Sequence, residues 1–358
     1  MENVKLNETP RRTSKSFGIN NYKVENFELP EIKKFKNIKI KSQTIIQNNA
    51  NEFKPKFSIG KKLVQQLKNA NQKLYINIEE SQRKPILVEF NLDEKQNVLV
   101  DNLVIRAEKG VCATVILKYK TKNENIKAFH NGVCEVKAKE NSKIKVIILN
   151  LLNNKSDNYY SINSKVEENA NLEYVIADFG GSRTVTNYYS KLEGCRANNI
   201  VNVMYIGTGN QEIDQNYIAE VYGKKANIDI EAYGALKDYA KKNFKGTIDF
   251  KTGCKKSVGN ENEYCMLLSK TAKSKALPML LCSEDDVQGN HSNSAGKIDE
   301  DKLYYIMARG ISKKEAQKLI VKAKFGGVLE KVQDEKLKNE LIEEIDKRLA
   351  WIVSYIKL

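Results

Sequence analysis

A small residue set in a polar turn returns along the middle of this chain at a nearly constant interval. It stands at Cys112, Ser142, Ala170, Ala197, Ala226 and Ser257, with steps of 30, 28, 27, 29 and 31 residues. Three of the turns are close likenesses: Glu168-Asn169-Ala170-Asn171, Cys195-Arg196-Ala197-Asn198 and Lys224-Lys225-Ala226-Asn227. Gly194 and Gly223 each stand three residues before the alanine. Between turns lie runs rich in Val, Ile, Tyr and Phe, such as Val111–Tyr119, Lys143–Leu149, Leu172–Phe179, Ile200–Ile206 and Ile228–Tyr233. Several alternate apolar with polar, the period of a strand, and the helix formers that βαβ crossovers need are missing. A fixed period in a strand-rich chain predicts a solenoid, each repeat adding two strands and their turns as one coil. Small residues at the corners let successive coils approach closely. The expected architecture is mainly β, with a parallel β-solenoid over residues 85–295.

The flanks read differently. Residues 1–84 are polar and hold three of the five prolines, Pro10, Pro30 and Pro55, with one short amphipathic piece at Lys61–Leu67. An irregular, partly helical region is expected there. Its charge is lopsided: residues 1–75 carry 16 Lys/Arg against 6 Asp/Glu, most of the chain's net +15. A basic arm suits nucleic acid or an acidic partner. It lacks an RNA-binding motif and regular aromatic interleaving, so solvation is the favoured reading and nucleic acid is not expected.

Residues 296–358 turn helical. Asp299 is placed to cap a helix carrying Leu303, Tyr304, Ile306 and Met307 and ending at Gly310. Ser312-Lys313-Lys314-Glu315 forms a capping box before Ala316, Leu319, Ile320 and Ala323. Gly326-Gly327 is expected to break that helix. A last helix, from Asp334 to about Tyr355, aligns Leu337, Leu341, Ile345, Leu349 and Ile352 on one stripe. Such helices suit a cap on the solenoid end or a docking surface for a partner.

The remaining signals exclude whole classes. The start, Met1–Arg12, has no apolar core of a secretory signal. The best apolar run, Val146–Leu152, falls well short of the roughly 20 residues that span a bilayer. The expected setting is cytoplasmic, with the six cysteines reduced. No two cysteines form a C-x-x-C pair, which removes zinc ribbons, thioredoxin-like motifs and ferredoxin runs. A phosphate-cradling Gly-rich loop with Lys-Ser/Thr is absent, as is a strand-to-helix G-x-G-x-x-G, so ATP hydrolysis is not expected of this chain. A polysaccharide-active β-solenoid enzyme is the rival of another class. It needs paired acids and aromatics along one exposed groove, and here the acids scatter.

The stretch Pro278-Met279-Leu280-Leu281-Cys282-Ser283-Glu284-Asp285-Asp286-Val287, followed by His291, Gly296-Lys297-Ile298-Asp299, Leu303-Tyr304-Tyr305 and Arg309-Gly310-Ile311-Ser312, resembles the SufB/SufD family. That family carries a DDV-like segment, a histidine and a Tyr-rich helix ending in Arg-Gly-Ile/Leu in this order. The segment Pro10–Asn20 resembles the family's N-terminal opening. The resemblance implies a right-handed parallel β-helix followed by a short helical domain. It further implies a non-ATPase scaffold subunit for iron–sulfur cluster assembly, which pairs with a SufB-like subunit (or with itself in isolation) and binds the ABC-type ATPase SufC through its C-terminal helices. A cluster or iron would be held transiently in the assembled complex, with nothing tightly bound in the lone chain. Ser292 stands directly after His291 where SufB has Glu, which favours SufD. Cys265 stands about where SufB carries its acceptor cysteine, which keeps a SufB-like, cluster-holding subunit open as the alternative.

Imidazole and thiolate are the ligands such a site wants. His291, in a polar Gly-Asn-His-Ser-Asn-Ser segment read as a loop, is the leading candidate under the resemblance, and Cys265 is second. Cys265 is equally readable as a buried structural thiol. Glu284, Asp285 and Asp286 offer oxygen ligands to incoming iron, although a triple acid run is more often a solvated turn. Tyr304, Tyr305, Arg309, Leu319 and Ile320 are the candidate partner-binding residues. His130 reads as a turn residue and is assigned no role.

Overall fold

The computed structural model describes residues 2–10, 18–20, 22–42, 46–47 and 56–350. Sixteen strands from Gln72 to Lys297 alternate between two parallel sheets. One sheet holds β5 (Gln72–Ile78), β7 (Val98–Ala107), β9 (Phe129–Ala138), β11 (Asp157–Val166), β13 (Arg183–Leu192), β15 (Glu212–Val221), β17 (Lys241–Phe250) and β19 (Lys273–Cys282). The other holds β6 (Ile86–Leu92), β8 (Cys112–Thr121), β10 (Lys143–Leu151), β12 (Asn171–Asp178), β14 (Asn198–Gly207), β16 (Asn227–Leu236), β18 (Ser257–Leu267) and β20 (Val287–Lys297). Each strand pairs in register with the strands one coil before and after, giving a parallel β-solenoid of about eight turns. Two short antiparallel strands, β3 (Ile38–Lys41) on β6 and β4 (Ile46–Gln47) on β5, close the starting end.

The repeating turn has a specific mechanism. Gly110, Asn141, Asn169, Arg196, Lys225 and Lys256 all have positive φ, between 53° and 74°. The N–H of each donates to a carbonyl of the next coil, as Asn169 to Cys195 at 2.9 Å and Arg196 to Lys224 at 2.8 Å. The left-handed conformation costs about 1 kcal/mol or more for a residue with a Cβ, and the recurring inter-coil hydrogen bond offsets it. Ser142, Ala170, Ala197, Ala226 and Ser257 follow directly and are buried. At the corner before β8 the same place belongs to Val111, because Lys143 pairs with Cys112. The phase assigned to Cys112 is therefore off by one, and its side chain is exposed. Gly223 and Gly194 are required by close approach: a Cβ on Gly223 would lie 1.7 Å from the Gly194 carbonyl oxygen.

Inward-facing apolar residues of both sheets form one continuous core along the lumen, from Leu74 and Ile76 in the first coil to Phe250 and Cys265 near the last. The outer faces are also covered. Over the even-numbered sheet lie α3 (Lys313–Leu329) and α4 (Glu335–Arg348), which bury Val321, Phe325, Val328, Leu337, Leu341 and Ile345 against Ile147, Leu149, Val175, Phe179 and Met204. α3 and α4 are thus a cover for a sheet face, not the cap on the solenoid end that the sequence also allowed. Sequence explains this, since Ile147, Leu149, Val175 and Ala177 make the outward positions of these strands apolar as well. α3 also runs through Gly326-Gly327, which were expected to end it. Burial of Phe325, Val328 and Leu329 outweighs the roughly 1 kcal/mol that each helical glycine costs. Asp299 does cap α2 (Glu300–Met307), accepting from the N–H groups of Asp301 and Lys302. Ser312 and Asp334 cap the other two. Ile352 and Tyr355 lie outside the described residues.

Across the odd-numbered sheet runs the N-terminal segment. Its hairpin, β1 (Glu2–Lys5) with β2 (Lys23–Phe27), and helix α1 (Lys61–Gln66) pack Leu6, Val24, Phe27 and Leu63 around Tyr159 and Val185. Asn7, buried with φ 56°, donates to Asp214 Oδ1 at 2.8 Å. Lys245 Nζ bridges Asp214 (2.5 Å) and the Asn7 carbonyl (2.8 Å). Of the family-like opening at Pro10–Asn20, Arg11 to Phe17 lie outside the described residues. No helix among the described residues is long and apolar enough to cross a membrane.

Candidate functional site: the open end of the solenoid

The last coil has no successor among the described residues. β19 and β20 each pair on one side only, with β17 and β18, so two long sheet edges end the stack side by side. His291 sits on β20 opposite Glu261 of β18. It is a strand residue, and the loop expected around it does not form. Its Gly-Asn-His-Ser-Asn-Ser surroundings are polar because the last coil buries little, while pairing with β18 holds the backbone extended. Residues paired in parallel register share a face. Gly259, Glu261, Glu263 and Cys265 are the buried, inward positions of β18, so His291 occupies the inward phase of β20. Its side chain is nevertheless exposed, because no further coil covers it.

Beneath it the lumen turns polar. Lys242 Nζ lies 2.7 Å from Glu263 Oε1, and both side chains are fully buried. The Tyr205 hydroxyl donates to the same oxygen, and Glu263 Oε2 has no hydrogen-bond partner. The Glu261 carboxylate lies over Gly246, where a Cβ would come within 2.5 Å of Glu261 Cδ. With its amide nitrogen turned toward the lumen, Asn293 donates to Glu261 Oε1 at 3.0 Å. Burial first, and the Glu263 charge second, push the Glu261 carboxyl up to about 8.

The other sequence candidates fall elsewhere. Cys265 is buried in the core, opposite Ala295. That is four residues beyond the His291–Glu261 pair, about 13 Å along the strand. Burial raises its thiol pKa, although Lys242 pulls the other way. The structure does not bring Cys265 and His291 together. Glu284, Asp285 and Asp286 form the corner between β19 and β20. Glu284 accepts from the Gly253 N–H at 2.9 Å, which lowers its pKa, and the Asp286 carbonyl closes the turn ladder with Lys256. These acids stitch a corner on the order of 15 Å from His291 along the strand. Among the described residues no three His, Cys, Asp or Glu side chains stand at metal-holding distance.

On the helices, Tyr304 is 75% exposed, Tyr305 58% and Leu319 44%. The Arg309 guanidinium lies 4.4 Å from the Tyr305 ring centroid. Ile320 is different: it is half-buried, packed among Leu303 and Ala316. His130, read as a turn residue, is a fully buried strand residue of β9. Its ring nitrogens lie 2.6 Å from Asp101 Oδ1 and 2.6 Å from Asn158 Oδ1. The Asn-Gly that follows it resembles a turn, yet Gly132 is there because the Tyr160 ring fills the place of its side chain. Glu261, Glu263 and Lys242 were missed by sequence reasoning. Their signal was charge at every second position of a strand, in the phase that faces inward.

The family comparison covers most of this architecture. Residues 90–324 match the profile of the SUF system FeS cluster assembly, SufBD core domain. The iron–sulfur cluster assembly protein SufD of Bacillus subtilis is 24% identical over 286 residues, covering 79% of this chain and 65% of that protein. SufD of Escherichia coli is 31% identical over 106 residues, 30% of this chain and 25% of that protein. An iron–sulfur cluster assembly SufBD family protein of Staphylococcus saprophyticus is 22% identical over 244 residues, 66% and 51% of the two chains. The matched stretch thus spans less than two thirds of each of these relatives. With the solenoid, the C-terminal helices and the profile match in agreement, the chain belongs to the SufB/SufD family of the SUF system and is SufD-like.

Proposed function

We propose that this chain is a non-catalytic scaffold subunit for iron–sulfur cluster assembly, joining a SufB-like subunit through the open end of its solenoid. One observation carries the reading: His291 stands exposed on the last strand, in the inward phase, between two unpaired sheet edges. Long unpaired edges invite further strands. β19 adds Leu277, Met279 and Leu281, half-buried, beside that edge. A partner meeting this end would place its own ligands opposite His291, so a nascent cluster is held jointly and released when the two chains shift. The energy for that shift comes from a SufC-like ABC-type ATPase, bound on the exposed Tyr304, Tyr305, Arg309 and Leu319 of α2 and α3. The polysaccharide reading loses support because arm and helices cover the outer sheet faces, where a sugar groove would lie.

Mixing the purified chain with a SufB-like subunit and a SufC-like ATPase tests this. A stable complex is expected on size-exclusion chromatography, with ATP hydrolysis that the chain alone lacks. Hydrolysis by the chain alone, or no complex with either partner, overturns the reading.

A further inference from the structure

Two carboxylates, Glu261 and Glu263, sit fully inside the last full coil, and one ammonium, Lys242, faces them. Lys242 and Tyr205 both bind Glu263 Oε1, so Glu263 takes the ammonium and its second oxygen remains without a partner. Glu261 has no direct ion pair: Lys242 acts on it only through space, and its hydrogen-bond partner is the neutral Asn293 amide with its nitrogen turned inward, in a place 1% exposed to solvent. A buried carboxylate without a direct ion pair is costly, and it is relieved by a proton or a cation. The group directly across the strand pair from Glu261 is His291. Adjacent strands are about 4.8 Å apart. The two residues share the inward phase on neighbouring strands, so both side chains belong to the same mouth of the lumen.

From this juxtaposition we infer that Glu261 and His291 form a site for a single first-row divalent cation at the mouth of the solenoid. The site belongs to this chain alone and exists before any partner is bound. A carboxylate and an imidazole suit ferrous iron and its neighbours, and the exposed side of the mouth leaves positions for water or a partner's ligands. Gly246 leaves room for the carboxylate, and Glu263 adds negative charge from below. Cys265 lies outside the donor set, about 13 Å along the strand. The inference deepens the proposed function: the lone subunit would load iron as an ion at the position where a joint site is later completed.

The test is an anaerobic Co²⁺ titration of the full chain without partners, followed by the cobalt d–d absorption. One Co²⁺ per chain is expected, without a thiolate-to-cobalt charge-transfer band. Glu261→Gln and His291→Ala should each weaken binding by roughly tenfold or more, comparable to the loss when a ligand's support is removed. Glu284→Gln should leave it unchanged. Melting temperatures establish that each variant is folded. Undiminished binding by folded Glu261→Gln, a thiolate band, or no binding by the wild type overturns the site. These results are separable from the proposed function, because the titration contains no partner. A chain that binds no Co²⁺ yet still enters a cluster-forming complex removes the site alone, and one that binds Co²⁺ yet meets no partner removes the function alone.

Discussion

Replacing Glu261 by glutamine should stabilise the protein, and by an amount that depends on pH. The carboxyl is held near 8 in the folded chain against an ordinary 4.5. Between those two values the folded state keeps a proton that the unfolded state has lost, so stability falls as pH rises through the window. The full difference, at about 1.4 kcal/mol for each pH unit, comes to about 5 kcal/mol above pH 8. Glutamine keeps the shape of the protonated acid and its contact with Asn293 but cannot ionise. At pH 5 the variant and wild type should differ by less than about 1 kcal/mol, since only the first half unit of the window has been crossed. At pH 8.5 the variant should be the more stable by about 3 to 5 kcal/mol. Urea unfolding followed by circular dichroism at both pH values measures this. A difference that stays flat between pH 5 and 8.5, or a variant less stable at pH 8.5, would refute the argument that this carboxylate is buried without a direct ion pair.

Other perturbations probe other levels of the structure. Gly223→Ala drives a methyl into the Gly194 carbonyl, so a loss of about 3 kcal/mol or more is expected in thermal unfolding; an unchanged melting temperature would contradict the close stacking of corners. Tyr304→Ala combined with Leu319→Ala removes exposed side chains only, so the melting temperature should hold while affinity for the SufC-like ATPase falls at least tenfold in a binding titration. Cutting the chain before α2 is a poorer test, because it would strip α3 and α4 from the apolar face of the even-numbered sheet. Cys265→Ser should lower stability by about 1 to 2 kcal/mol, as changes in a packed core do, while iron and sulfide per folded complex stay the same.

Local chemistry was legible in the sequence wherever a residue's role is decided by its immediate neighbours. The 27–31-residue period announced the coils, because each needs the same corner. Asp299 and Ser312 announced two helix starts through their capping oxygens, and the apolar stripe from Asp334 announced the third. What stayed hidden depends on partners far along the chain. His291 looked like a loop residue because nothing in its own segment is apolar; only β18 makes it a strand. Glu261 and Glu263 sit in a strand whose alternation reads naturally with charges facing out, and the register turns them in. Gly326-Gly327 read as a stop, and the sheet beneath α3 carried the helix through. Tyr304, Tyr305 and Leu319 were legible as surplus apolar surface, whereas Ile320 was absorbed by packing among the helices themselves.

The most direct measurement of the central claim is the iron and sulfide content of a complex rebuilt with His291→Ala. The variant should assemble with the SufB-like subunit and the ATPase in unchanged stoichiometry and stimulate hydrolysis as before, since an exposed side chain contributes little packing. Its iron and sulfide per complex should fall by roughly tenfold, as expected for loss of a metal-holding group. A wild-type yield of iron and sulfide from that complex would contradict the assignment of the open end as the place where the cluster is built.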